Sequence, residues 1–308
     1  MNAVNRNLAI LLASRNGERF LSKQLESFAE QSFANWSLYI SDDGSDDDTK
    51  IISEDFLKTF DGRGFLINGP QNGLCENFKF LIGHAAISAD YYAFSDQDDI
   101  WLPDKLQRAV DYLEQFPEDV PSLYCSRTKL IDEQGAPIGF SPLNEKNPSF
   151  QNALLQNIAS GNTMVFNQAA RNLFIRVIDQ PMIIHDWSLY LIVTACGGRV
   201  FYDKTPGVLY RQHSHNVIGN GMNFSRRFSN YWKNIHGRNQ HWNNVNMRML
   251  EAINNCITPE NHESSSAFYN IRGRALTQRI TLFKRSHVYH QNLIGQLTNF
   301  SYALFDKL

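Results

Sequence analysis

Three carboxylates fall within four residues at Asp96-Gln97-Asp98-Asp99, directly after Tyr91–Ser95, an aromatic-rich stretch with no charge of its own. Carboxylates this close repel one another. A hard divalent cation such as Mg²⁺ or Mn²⁺ offsets that repulsion and keeps coordination positions open for substrate phosphates. The competing reading is a solvated acidic turn that caps the next helix, with Pro103 at its first position and Asp104 in its first turn. Two further polar clusters invite chemistry, Arg15-Asn16-Gly17 and Asp42-Asp43-Gly44-Ser45. The second is no EF-hand loop, because Gly44 stands third where that loop needs glycine sixth. An Asx turn with Gly44 at the tight position is its structural alternative. Asp186 follows the apolar approach Pro181–Ile184 and opens a predicted helix, which suits either a general base or an N-cap. Position 189 is Leu, so no capping box supports the cap.

The elements that must position these groups alternate. Leu8–Ala13 is a continuous apolar run, as a parallel strand buried on both faces requires. Trp36–Ser41, Phe65–Ile67 and Tyr91–Ser95 read as further strands. Helical spacing covers Glu18–Gln31, Asp47–Leu57 and Asn77–Ala86 between them. Strands separated by helices predict a parallel α/β sheet, whose ligands gather beyond the carboxyl ends of the strands. All three polar clusters lie at such ends. After residue 120 the pattern is mixed. Strands are predicted at Ser122–Leu130, Ile138–Phe140, Arg199–Tyr202 and Val208–Arg211, with Thr163–Phe166 extended. Helices are predicted at Phe150–Asn157, Gln168–Ile178 and Trp187–Cys196, the last stopped by Gly197-Gly198.

A chain of 308 residues that is 43% apolar can bury one large core, or a main domain with an appendage. Its net charge of −2 is unevenly placed: residues 223–308 hold eleven Lys and Arg against four Asp and Glu. The four cysteines form no C-x-x-C pair, which argues against a zinc site or disulfide framework and for a reducing, cytoplasmic setting. No apolar run approaches the length of a membrane span.

Taken in order, Leu8–Glu18, Ser41–Ser45, Asn72-Gly73, Phe94–Trp101, Ser160–Thr163, His185-Asp186-Trp187 and Arg211-Gln212-His213 resemble family 2 glycosyltransferases of the GT-A fold. The likeness spans roughly residues 6–216 and is nearest to the bacterial rhamnosyltransferase-like branch. It implies a Rossmann-like mixed, mostly parallel sheet flanked by helices, with a catalytic domain over residues 1–218 and a helical C-terminal extension over 219–308. It also implies inverting, metal-dependent transfer of one sugar, with L-rhamnose from dTDP-rhamnose as the leading donor and a UDP-hexose as the alternative. The acceptor would be a glycan or lipid-linked saccharide in cell-surface polysaccharide synthesis.

Carried over residue by residue, Asp42 would meet the base N–H and Asp43 the ribose side. Ala13, Arg15 and Gln97 would flank the nucleotide, and Asn72, Gly73 and Asn77 would close over it. Asp98 would be the principal Mg²⁺ or Mn²⁺ ligand, with Asp96 on the ribose or a metal-bound water, Asp99 in support, and His213 reaching the metal or pyrophosphate; His215 competes for that place. Asp186 would be the base, with Gly161, Asn162, His185 and Trp187 shaping the acceptor pocket. Many family members carry two acidic residues where this chain has His185-Asp186, which narrows the base to one carboxylate.

The C-terminal third lies outside these motifs. Phe224, Phe228, Tyr231, Trp232 and Ile235 recur at helical spacing among basic residues, which suits an appendage packed on the catalytic domain or peripheral contact with an anionic membrane. No motif supports nucleic-acid binding. Two other classes share the carboxylate cluster: a non-catalytic nucleotide-sugar or glycan binding protein, and a nucleotidyltransferase, for which Arg15–Glu18 is a poor triphosphate loop.

Overall fold

The structure, a computed structural model, describes residues 6–60, 62–213 and 237–308. His215 and the aromatic stripe from Phe224 to Ile235 lie outside the described residues. Leu8–Ser14 (β1), Trp36–Asp42 (β2), Gly64–Asn68 (β3) and Tyr91–Ser95 (β4) pair in parallel in the order β3-β2-β1-β4. β1 is buried at every position, as its unbroken apolar sequence demands. Leu21–Ala29 (α1), Thr49–Leu57 (α2) and Leu74–Gly83 (α3) make the crossovers.

Ile100–Trp101 (β5), Ser122–Ile131 (β6), Pro137–Phe140 (β7), Val165–Asn167 (β8) and Arg199–Arg211 (β9) extend the sheet as β4-β8-β6-β9-β5, with β7 on β6. β8 is antiparallel to both β4 and β6, while β9 runs parallel to β6. The sheet is therefore mixed and mostly parallel in its first half, as expected. The remaining helices among the described residues are Lys105–Leu113 (α4), Phe150–Ala153 (α5), Gln168–Arg176 (α6), His185–Ala195 (α7), Asn239–Ala252 (α8), Pro259–Tyr269 (α9), Leu276–Arg285 (α10) and Leu293–Leu304 (α11).

Four expectations about elements are corrected. Helix α4 begins at Lys105, so Pro103 and Asp104 form the turn before it and do not sit inside it. The two strands predicted at Arg199–Tyr202 and Val208–Arg211 are one, because pairing jumps from Ser126↔Asp203 to Thr128↔Val208 and residues 204–207 bulge without ending it. Helix α5 stops at Ala153, well short of Asn157. Thr163 belongs to a 3₁₀ turn, Gly161–Thr163, and the extended segment starts at Val165.

Alternate side chains of β1 face opposite layers. Leu8, Ile10 and Leu12 pack with Leu21, Leu25 and Phe28 of α1 and with Trp101. Ala9, Leu11 and Ala13 face Phe78, Phe94 and α7. Helix α7 is apolar around its circumference after the first turn and buried at all 11 positions. Met249 of α8, Phe268 of α9, Phe283 of α10 and Tyr302 of α11 join that same core, so the C-terminal helices pack directly onto the sheet's helical layer. That packing fixes α7 from behind, and α7 carries Asp186 at its front.

Candidate active site

The carboxyl ends of β1, β2 and β4 converge, and the Gln97 side chain ties two of them together. Arg15 donates its amide to Gln97 Oε1 at 2.8 Å, and Gln97 Nε2 donates to the Arg15 carbonyl at 2.9 Å. The exits of β1 and β4 are thereby locked at one spacing. Ala13 is buried at the end of β1, whereas the Arg15 side chain is exposed.

At the end of β2, Asp42 forms an Asx turn. It accepts from the amides of Gly44 (3.2 Å) and Ser45 (3.0 Å) and from the Ser45 hydroxyl, and Lys50 Nζ stands 3.4 Å away. Gly44 supplies the φ of +85° that this turn requires. Asp43 accepts from the amides of Gln71 (2.6 Å) and Gly73 (2.9 Å), which holds the 71–73 loop against β2. Asn72 is exposed on that loop. Asn77 points away from it: its amide donates to the Ser41 carbonyl and its oxygen accepts from the Ser41 hydroxyl.

The end of β4 is built differently. Asp98 Oδ2 meets His213 Nε2 at 2.7 Å, and the His213 ring stacks on Phe20 with centroids 5.4 Å apart. Asp99 is fully buried and accepts from Asn162 Nδ2 (2.6 Å) and from the Arg211 amide (3.1 Å). Burial, then Asp98 and Asp96, push the Asp99 carboxyl well above its ordinary range. The Asp96 carboxylate receives no hydrogen bond among the described residues. Burial, with Asp98 and then Asp186 nearby, raises it to about 7. Among the described residues no three His, Cys, Asp or Glu side chains converge closely enough to hold a metal unaided. A hard divalent ion in a phosphate-binding site takes one or two carboxylates and completes its shell with water and substrate oxygens. Asp98 with His213, and Asp96 beside them without a donor, fit that partial set.

Asp186 is the second residue of α7, one position inside the helix, and Ile184 is the N-cap without a side-chain bond. The Asp186 carboxylate accepts from the Gly161 amide (3.0 Å) and the Trp187 amide (2.6 Å), and burial raises it to about 6. A Cβ on Gly161 would stand 2.8 Å from His185 Nε2, so close approach of the 161 backbone to α7 needs glycine. His185 is stacked against Phe78 (3.9 Å) and edge-on to Phe94 (4.9 Å), and neither ring nitrogen has a partner among the described residues. Burial lowers it to about 3, so it is a neutral imidazole. Asn162 sits beneath Asp99, with its oxygen accepting from Ser160. Trp187 is a core residue: its indole donates to the Ala153 carbonyl at 2.8 Å and its ring meets Trp242 edge-on, which leaves no open face for a sugar.

Two cations belong to the site that sequence reasoning gave no role. Arg211 bonds the Asp98 carbonyl (2.9 Å) and the carbonyls of Asp132 (3.3 Å) and Glu133 (3.0 Å), clamping the carboxylate turn to the β6–β7 hairpin. It stands two residues before His213 in the same polar string, which was its signal. Lys105 is wholly buried with Nζ 3.0 Å from the Trp101 ring centroid. Burial pulls its pKa down, against the opposing fields of Asp99 and Asp96. A lysine opening a helix, where the dipole disfavours a cation, was its only trace in the sequence.

The sequence profile of Glycosyl transferase family 2 matches residues 9–174. A dTDP-rhamnosyl transferase of Shigella flexneri, RfbG, is 30% identical over 70% of this chain and 76% of its own. The Escherichia coli UDP-Glc:alpha-D-GlcNAc-diphosphoundecaprenol beta-1,3-glucosyltransferase WfgD is 31% identical over 34% of this chain and 40% of its own. Among solved structures, Staphylococcus aureus TarS 1–349 in complex with UDP-GlcNAc superposes with a TM-score of 0.54 at 13% identity, covering 97% of this chain and 81% of that one. The Pyrobaculum calidifontis mannosyltransferase PcManGT, in complex with GDP-Man and Mn²⁺, gives 0.51 at 15% identity over 98% and 88%. With its mixed sheet and clustered strand ends, the chain is a glycosyltransferase of the GT-A fold and belongs to glycosyl transferase family 2.

Proposed function

We propose that this glycosyltransferase moves L-rhamnose from dTDP-rhamnose to a hydroxyl of a glycan or lipid-linked saccharide, with inversion at the anomeric carbon. The observation that carries the donor assignment is the 30% identity to a dTDP-rhamnosyl transferase across 70% of the chain. The glucosyltransferase relative favours a UDP-hexose as the second reading. Residues 1–218 would form the catalytic unit and 219–308 its helical extension.

In this reading the nucleotide lies along Arg15, Asp42, Asp43 and the 71–73 loop, with Gln97 fixing the junction beneath it. Asp98, His213 and Asp96 would hold Mg²⁺ or Mn²⁺. Such an ion, when bound, neutralises charge on the diphosphate leaving group. Asp186 takes the proton of the acceptor hydroxyl while that oxygen bonds the anomeric carbon. The opposite carbon–oxygen bond breaks at the same time, and its electron pair leaves with the nucleoside diphosphate. A carboxyl held near pH 6 by burial is ionised at neutral pH yet basic enough to accept a proton. The Gly161 and Trp187 amides, with the Asn157 side chain, aim it.

The test is a donor screen in MnCl₂ by thermal shift and by release of nucleoside diphosphate. dTDP-rhamnose should raise the melting temperature most and be turned over, and excess EDTA should abolish turnover. Stabilisation by UDP-glucose but not by dTDP-rhamnose would hand the assignment to the second reading. Full turnover in EDTA would remove the metal.

A further inference from the structure

Helix α11 buries Tyr302 and Ala303 in the core yet leaves its first aliphatic residues outside. Its buried side carries Asn299, with Tyr302 and Ala303, and the Asn299 amide bonds the Gly295 carbonyl. Gln296 also turns toward the protein, accepting from the His290 amide and donating to the Val288 carbonyl. The large aliphatic side chains point outward: Leu293 is 72% exposed, Ile294 67% and Leu297 58%, and Phe305 just past the helix is 65% exposed. Positions 293, 294, 297, 304 and 305 fall on one stripe at helical spacing. Leu276, at the start of the neighbouring α10, is 50% exposed as well. A contiguous exposed stripe of large aliphatic side chains is the kind of surface that a partner covers.

The charge of the two helices says which partner. Residues 271–308 carry Arg272, Arg274, Arg279, Lys284, Arg285 and Lys307 against one acidic residue, Asp306, which lies 3.6 Å from Arg279. Arg274, Lys284 and Arg285 are exposed. By contrast, residues 237–270 hold two basic and three acidic residues. Exposed aliphatic side chains and exposed cations on the same two helices complement an anionic bilayer leaflet: the aliphatics enter the acyl boundary while the cations meet the headgroups. No helix among the described residues is long and apolar enough to cross a membrane, so the contact would be peripheral.

We infer that the α10–α11 hairpin docks this protein on anionic phospholipid through Leu293, Ile294, Leu297 and Phe305. The inference rests on the surface alone and survives any change of sugar donor. It is tested with the full chain by co-sedimentation with phosphatidylglycerol/phosphatidylethanolamine vesicles, against phosphatidylcholine vesicles and against high salt. The protein should sediment with the anionic vesicles, and binding should weaken on phosphatidylcholine and in salt. The triple variant Leu293→Ser/Ile294→Ser/Leu297→Ser should lose about tenfold or more of vesicle affinity, because the buried apolar area is its largest contribution. Lys284→Gln/Arg285→Gln should weaken binding to anionic vesicles and leave binding to phosphatidylcholine unchanged. All these positions are exposed, so melting temperatures should stay within about 2 °C of the parent. Failure of the unaltered protein to bind anionic vesicles at low salt overturns the inference. So does a triple variant that binds like the parent, or a parent dimer in solution that the triple variant dissolves, since a second copy would then be what covers the stripe.

Discussion

At the end of β2, Asp42 and Asp43 accept hydrogen bonds from the backbone amides of Gly44, Ser45, Gln71 and Gly73. At the end of β4, on the other side of β1, Asp96 has no donor among the described residues and Asp98 meets only the ring of His213. The residue type and the topological position are the same, but the two pairs of carboxylates serve different ends. Amide donors occupy the carboxylate lone pairs, which makes the β2 pair a scaffold that holds the 44–45 turn and the 71–73 loop. With the His213 ring on Asp98 as its only side-chain partner among the described residues, the β4 pair keeps its mutual repulsion, which favours a bound cation. Asp186 stands between these cases: two amides aim it, and burial keeps it basic.

The largest effect is expected at Asp186. Asp186→Asn keeps the side chain's size but cannot take a proton. The transfer rate should fall by about 10²–10⁴, the usual contribution of a positioned base. Donor affinity, read by titration, should stay within a few-fold. In the parent enzyme the rate should rise with pH through about 6, because the base must be ionised. A flat profile between pH 5 and pH 7 would place the base elsewhere. His185, neutral and enclosed by Phe78 and Phe94, offers no replacement there.

Gly161→Ala acts on the donor side of the same carboxylate. Its Cβ would press on His185 Nε2, so the 161 backbone must retreat and carry its amide away from Asp186. Overpacking of this kind costs about 1–3 kcal/mol, to be read as a lower melting temperature together with a slower transfer rate. Loss of stability at unchanged rate would show that this amide does not aim the base. The smallest effect belongs to the scaffold. Lys50 lies 3.4 Å from Asp42 with its side chain 43% exposed, while Asp42 already has its amide donors. Lys50→Met should change stability by less than about 1 kcal/mol in chemical denaturation. A larger loss would mean that Asp42 depends on that ion pair.

The parallel half of the sheet was largely legible in the sequence because it is local. Leu8–Ala13, Trp36–Ser41 and Tyr91–Ser95 are apolar runs punctuated by Asp, Asn and Gly, and each strand ends within a residue of that punctuation. The order of strands and helices then placed three polar clusters at one edge. What escaped is what only tertiary pairing decides. The two-residue β5 has no pattern long enough to read, and β9 continues through Pro206-Gly207 because a bulge absorbs them. Trp187 is equally plausible as a sugar platform or a core residue until Trp242 is seen against it. Lys105 and Arg211 act on carboxylates brought near by the fold, and no spacing announces that.

The division between scaffold carboxylates and ligand-seeking carboxylates is tested most directly by thermal melts of Asp43→Asn and Asp96→Asn in EDTA at pH 8 and pH 4. Asp43→Asn should be less stable than the parent at pH 8, because the bonds to the Gln71 and Gly73 amides are weakened, by about 1–3 kcal/mol. Asp96→Asn should be more stable than the parent at pH 8. A raised carboxyl pKa makes the folded state the tighter proton binder, so the metal-free parent loses stability as pH rises from about 4 to about 7. The asparagine does not titrate, so its advantage should vanish at pH 4. Destabilisation of Asp96→Asn at pH 8 equal to that of Asp43→Asn would contradict the account, because both strand ends would then be scaffold.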